Sequence, residues 1–306
     1  MFKKEIIGTY VKEFDIQRKM VAHMTSLSWL NIPHISYLYE PDITEFYTEY
    51  KALAKEQEAK GRRISINTIL LKVIVEGLKA DPEFNALLEY NLPKGRGNLT
   101  VHEEINISLP WKVPDGRMIT PTILHTETMD LNALSDAITD LGKKINRTNI
   151  DELIYRAVVT NTLNELKKGN LGVIRRILAN LFGVNRLKGK AKKDYYAIPE
   201  SERLTDSNLI AGTVTVSNIG SLYKEQKGYF GLLEIVPPQI FAIGLGVIQE
   251  KPGIFVNPEG KKEIGIRNTL PMCLVFDHRA ADFDALVPFL KKLDEIFAKP
   301  EVIRNW

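Results

Sequence analysis

The chain has 306 residues, 41 Lys and Arg against 38 Asp and Glu, and a formal charge of +3, too small to argue for nucleic acid. At 44% hydrophobic and 26% charged, it has the composition of a soluble protein with a sizeable core. Its one cysteine, Cys273, excludes an internal disulfide, fits a reducing cytoplasm, and reads as a small buried hydrophobe within an apolar strand. The start, "MFKKEIIGTYVKEFD", has no apolar run followed by a small-residue cleavage site, so no signal peptide is expected. The most apolar window, "LLEIVPPQIFAIGLGVI", is interrupted by Glu234, Pro237, Pro238 and Gln239, which argues against a spanning helix. The histidines at 23, 34, 102, 125 and 278 show no metal-ligand spacing, and no metal is expected.

In chain order, residues 43–60 read as a surface helix capped by Thr44. Residues 65–80, "SINTILLKVIVEGLKA", read as a longer, more buried helix that stops before Asp81 and Pro82. "LTVHEEINISLPW" alternates partly, meets the turn "PDG", and continues as the strand-like "RMITPTIL". "MDLNALSDAITDLGKKI" is helical again. After residue 208 the texture changes to short strands: "GTVTVSN", "QIFAIGLGVI", "GIFVN" and "TLPMCLVF", with "NPEG" as a hairpin turn. "GLGVIQ" lacks a third glycine and a following helix, so it is no dinucleotide loop. Helices and strands alternate irregularly, which predicts an α/β fold of the α+β sandwich kind, not a doubly wound repeat.

The last strand gives way to a helix across "VFDHRAADFDALVPFLKKL". Leu286, Phe289, Leu290, Leu293, Ile296 and Phe297 recur at helical spacing, so His278 sits on a strand-to-helix turn with Asp282 four residues on. There a side chain can leave the core and meet a ligand. Residues 153–193 stand apart, with ten Lys or Arg against one acid, Glu165. Within them Leu171, Ile174, Ile177, Leu178, Leu181 and Val184 share one helical face opposite Arg175, Arg176 and Arg186. Such a helix docks on its own domain, lies on an anionic membrane, or meets an acidic carrier or the phosphates of a ligand.

"TVTVSNIGSLY", "IVPPQIFAIGLGVIQEKP" and "TLPMCLVFDHRAADFDALVPFLKKLDEIFAKP" together resemble the second half of the acyltransferase core of 2-oxo acid dehydrogenase complexes. "IQRKMVAHM", "NIPHISYLYEPDITEF", "ADPEFNA", "VPDGRMITPTI" and "MDLNALSDAI" resemble its first half in the same order. The resemblance implies a chloramphenicol-acetyltransferase-like fold: a mixed sheet flanked by helices, one catalytic domain over residues 1–306 with a basic insert at about 150–207. It implies acyl transfer between coenzyme A and a thiol or hydroxyl acceptor, a dihydrolipoyl group foremost, with no metal and no acyl-enzyme. His278 would be the general base, for which neutral imidazole is suited near pH 7. Ser217 would donate to the tetrahedral oxyanion, and Asp282 would pair with Arg18 to fix the turn. The resemblance also implies a trimer, with His278 coming from one chain and Ser217 from its neighbour.

Four departures from the family pattern bear on this reading. Phe283 follows Asp282 where glycine is usual, which alters the pocket beside the turn. Few residues precede the core and no Asp-Lys dipeptide occurs, so lipoyl attachment on this chain is not expected. The basic insert replaces a short connection, and Arg304 and Asn305 stand where cage-forming relatives carry apolar anchors, so a large cage is not expected. Acceptors other than a lipoyl domain on a separate protein remain open: a small molecule or a lipid. So does a non-catalytic assembly subunit that keeps the fold. A cytoplasmic location is expected, with peripheral membrane contact through residues 153–193.

Overall fold

The computed structural model describes residue 14 and residues 16–167 and 189–306. Helix α1 (Ile16–Asn31) leads into strand β1 (His34–Tyr39), then helices α2 (Thr44–Ala59) and α3 (Ile66–Ala80). Thr44 is the first residue of α2 and does not cap it. The Asp42 carboxylate does, accepting the Thr44 N–H at 3.0 Å and its hydroxyl at 2.6 Å. Ser65 caps α3 by accepting the Thr68 N–H at 3.1 Å. A hairpin of β2 (Ala86–Asn91) and β3 (Arg96–Val101) follows, then the short strands β4 (Ile107–Ser108), β5 (Trp111–Lys112), β6 (Met118–Ile119) and β7 (Thr122–Ile123). Helices α4 (Leu131–Arg147), α5 (Ile150–Lys167) and α6 (Gly189–Tyr196) come next. The second half contributes β8 (Val214–Asn218), β9 (Phe241–Leu245), the hairpin β10 (Gln249–Val256) and β11 (Lys262–Thr269), β12 (Met272–Asp277) and helix α7 (Val287–Ala298).

Prolines cut the apolar runs shorter than their periodicity implies. "TLPMCLVF" is two strands parted at Pro271, and "RMITPTIL" is two parted at Pro121, because proline brings no N–H to a ladder. Six strands form one mixed sheet in the order β1-β12-β9-β8-β4-β7. Its β1-β12-β9 half is antiparallel, whereas β8 runs parallel to both β9 and β4.

Alternation gives the sheet two unlike faces. On one, Val214, Val216, Phe241, Ile243, Leu245, Met272, Leu274 and Phe276 join the main core with α3 and α7. Phe84 packs edge-on against Phe241 and Phe276, at 4.8 and 5.7 Å between centroids, and Phe241 against Phe289 at 5.4 Å. Gly77 lets α7 approach α3 this closely, since a Cβ there would lie 2.6 Å from the Phe289 ring and 2.7 Å from Leu293. The other face carries smaller side chains, Ser36, Thr215, Ser217, Ala242, Gly244 and Cys273. The segment before Pro237 lies across it. Ser36 donates to the Gly231 carbonyl at 2.5 Å, and Leu233 fills the space above Gly244.

At the base of the basic segment, Arg156 lies over the rings of Tyr195 and Tyr196 and hydrogen-bonds the Tyr196 hydroxyl, while Arg203 stacks on Tyr195 at 4.4 Å. Arg156 is thus engaged within the protomer. The amphipathic stretch carrying Leu171, Ile174, Leu178 and Leu181 lies outside the described residues. Among the described residues, no helix is long and apolar enough to cross a membrane.

Candidate active site

Strand β12 ends at Asp277, and the turn that follows carries His278 out of the sheet. The ladder continues one step past the strand, with the His278 N–H donating to the Pro33 carbonyl at 3.0 Å. The chain then turns, held by the Ala280 N–H on the Asp277 carbonyl at 2.9 Å. Asp277 itself is 1% exposed, and its carboxylate receives the Arg279 N–H at 2.9 Å and its guanidinium at 2.6–3.2 Å. This ion pair straddles His278 and fixes the turn from both sides.

The His278 imidazole is half exposed, with Nδ1 3.2 Å from the Ala281 carbonyl and 3.4 Å from Asp282 Oδ1. A carbonyl oxygen only accepts, so this contact assigns the proton to Nδ1 and leaves the Nε2 lone pair free to act as a base. Asp282 is 78% exposed and meets His278. Arg18, its expected partner, is an exposed residue of α1. Phe283 stands beside the turn with its ring 5.1 Å from that of Tyr37.

Ser217 lies near the end of β8 and lines a cleft of about 180 Å³ on the small-residue face, together with Thr215, Leu233, Glu234 and Ala242. No hydrogen bond to a described residue engages its hydroxyl, which can therefore donate to a ligand. Cys273 is 2% exposed, and burial pushes its thiol up from the ordinary range, so it is a poor nucleophile.

The sheet register shows how His278 and Ser217 are related. Ser217 pairs with Gly244, and Gly244 with Cys273, so those three residues share one level of the sheet. His278 is five residues beyond Cys273 and two strands from β8. At about 3.3 Å per residue and 4.8 Å per strand, their Cα atoms stand about 19 Å apart. The two side chains together reach about 9 Å, less than half the gap. One chain does not bring the base and the donor together.

Asp277, Arg279 and Glu234 did not stand out in the sequence as site residues. The charged pair flanking His278 in "DHR" was a visible signal for the first two, and the lone acid inside the most apolar window was one for Glu234.

A mixed sheet packed by helices on one face carries a histidine with an available Nε2 lone pair at one end and a cleft-lining serine near the other. The model of the 2-oxoacid dehydrogenase acyltransferase catalytic domain matches residues 9–153 and 190–304, and the chain belongs to that family. The gap between the two matched stretches falls within the basic segment. The acetyltransferase component of the pyruvate dehydrogenase complex of Mycobacterium bovis is 23% identical over 266 residues, which cover 87% of this chain and 37% of that relative. The chain thus spans under two fifths of that relative's length. A probable dihydrolipoamide acetyltransferase from Listeria monocytogenes shares the fold with a TM-score of 0.64 at 18% identity, covering 96% of each chain. Azotobacter vinelandii dihydrolipoamide acetyltransferase gives a TM-score of 0.62 at 22% identity over 96% of this chain and 94% of that one.

Proposed function

We propose that the chain is a coenzyme A-dependent acyltransferase acting as a trimer, with His278 of one protomer facing Ser217 of the next. The acceptor's thiol or hydroxyl gives its proton to His278 Nε2 as its sulfur or oxygen bonds to the thioester carbonyl carbon. The carbonyl π pair moves to oxygen, and the Ser217 hydroxyl donates to that oxyanion. When the intermediate collapses, the carbon–sulfur bond to coenzyme A breaks and the departing sulfur recovers the proton from His278. A single preorganised donor of the Ser217 kind is worth roughly 3–4 kcal/mol of barrier. The Ala281 carbonyl and Asp282 keep the proton on Nδ1 and favour the imidazolium formed in between. Arg18 is proposed as a positioning residue that holds Asp282, the pair that the family resemblance implies, although the ion pair Asp282 makes in this structure is with His278. A dihydrolipoyl group on another protein is the leading acceptor.

The observation that carries this reading is the sheet register that parts Ser217 from His278. In support, crystallographic and enzymatic work on the Azotobacter acetyltransferase concerns a serine, a histidine and an asparagine four residues further on, the pattern here of Ser217, His278 and Asp282. An asymmetric contact repeated around a ring closes as a cyclic oligomer, and the exposed β10–β11 face suits burial against a second copy. There Ile254, Ile264 and Ile266 are each at least 70% exposed. The C-terminal turn is docked on its own α2, with Ile303 buried and Arg304 bound to Glu49 and Glu56, which favours an isolated trimer over a cage.

The deciding assay follows acetyl-coenzyme A consumption with dihydrolipoamide and with a panel of hydroxyl and amine acceptors. Acceptor-dependent release of coenzyme A is the expected result. Release from none of them would leave a non-catalytic assembly subunit as the better reading.

A further inference from the structure

The hairpin β2–β3 stands at the His278 end of the sheet. Its base is tied to the segment entering β9, through the Leu88 N–H on the Pro238 carbonyl at 2.8 Å and a bridge between Leu87 and Gln239. Beyond that base, all six residues of β3 are exposed. The register sets Ala86 opposite Val101, Leu88 opposite Leu99 and Tyr90 opposite Gly97, so one face of the hairpin is apolar. On that face Leu99 is 40% and Val101 47% exposed. A two-stranded hairpin is marginally stable at best alone in water, and this one presents to solvent the face that would hold it. The same face adjoins the catalytic turn. The Tyr90 ring lies across Gly97, where a Cβ would come within 2.7 Å of it, and the Arg279 guanidinium is 5.6 Å from the ring centre. At the other end of the sheet, the turn after Ser217 carries Leu222 and Tyr223, both exposed, with their N–H groups held by the Ile219 carbonyl at 3.0 and 3.3 Å. Each half of the divided site thus has an exposed apolar surface beside it. When His278 of one protomer meets Ser217 of the next, the surfaces flanking them meet as well.

We propose that the apolar face of the β2–β3 hairpin docks on a second copy of this chain, against the turn of Leu222 and Tyr223 that follows Ser217 there. This rests on the shared-site reading above and adds the surface that brings the two halves together. The contact is heterologous, hairpin to turn, so repeating it around a ring covers every hairpin and leaves none over. Burial of Leu99, Val101 and Leu222 supplies the hydrophobic support that the hairpin lacks within one protomer.

The test reads light scattering and turnover for the wild type and for a chain carrying both Leu99→Glu and Val101→Glu. Both positions are exposed in the protomer, so the added charges spare its core. The proposal expects a folded monomer whose turnover is lower by about a hundredfold, because the partner's half of the site is lost. A trimer with unchanged turnover overturns the docking surface and leaves the shared-site reading standing. A monomeric wild type overturns both. A crosslinking measurement decides the contact even where the charged chain fails to fold. Leu99→Cys and Tyr223→Cys are combined in one chain and treated with a short bis-maleimide, while Cys273, 2% exposed, stays out of the reaction. A covalent trimer from the combined variant, and none from either substitution alone, supports the contact. No covalent species from the combined variant overturns it.

Discussion

Replacing Asp81 by asparagine should stabilise the protein at pH 8, with a gain that shrinks as the pH falls. Asp81 is 5% exposed and sits where α3 ends. The Phe289 N–H in the first turn of α7 and the Glu83 N–H donate to its carboxylate, but its Oδ2 has no partner among the described residues. Burial dominates and pushes its pKa up to about 6 from 3.8. A shift of about 2 units corresponds to about 3 kcal/mol. Between about pH 4 and pH 6 the folded chain keeps a proton that the unfolded chain has released. Stability therefore falls as the pH rises through that window and stays reduced above it. Asparagine keeps an acceptor for the Phe289 N–H and removes the buried charge, though its amide N–H₂ replaces the unpaired oxygen at a cost of about 1 kcal/mol. The net gain at pH 8 is about 1–2 kcal/mol, or about 3 °C in Tm. The difference between variant and wild type should grow by about 1.4 kcal/mol from pH 5 to pH 8. Urea unfolding at the two pH values measures it. A difference that does not change with pH, or a variant less stable at pH 8, would refute the assignment of a buried, destabilising charge.

Two further substitutions probe what surrounds the site. Asp277→Asn keeps the shape of the clamp on Arg279 but weakens its charge-assisted bonds, so it should lower stability by about 2 kcal/mol and turnover by about tenfold. Thermal melts and kcat check both, and unchanged turnover would show that the His278 turn does not need the clamp. Gly244→Ala would place a Cβ 2.7 Å from Leu233, beside Ser217 in register. It should cost about 1–2 kcal/mol and raise acceptor KM, and unaltered kinetics would remove Leu233 from the account of the cleft wall.

The sequence made much of this legible, for reasons visible in particular residues. The 3.6-residue spacing from Leu286 to Phe297 describes α7, and the end of the apolar strand before it places His278 on the connecting turn. Periodicity could not show that Pro121 and Pro271 split apolar runs into separate strands, since the pattern of apolar residues passes through both prolines unbroken. Nor could it show that Asp42, outside the helix, caps α2 in place of Thr44. Glu234 was visible only as an interruption, because its meaning depends on Thr25 and Ser217, which are distant in the chain. The distance between Ser217 and His278 needed the strand order as well as the strands. Motifs record which residues are present, and only the register shows that one chain holds them apart.

The central claim is that the site is shared between chains, and a mixing experiment tests it most directly. His278→Ala and Ser217→Ala should each lower turnover by about a hundredfold. When the two variants are co-expressed in equal amounts and assemble at random, a whole site needs intact His278 from one protomer and intact Ser217 from its neighbour. Each condition holds half the time, so about one quarter of wild-type activity should return. If every site were built within one chain, no mixed trimer would contain a whole site, and activity no higher than that of the separate variants would contradict the account.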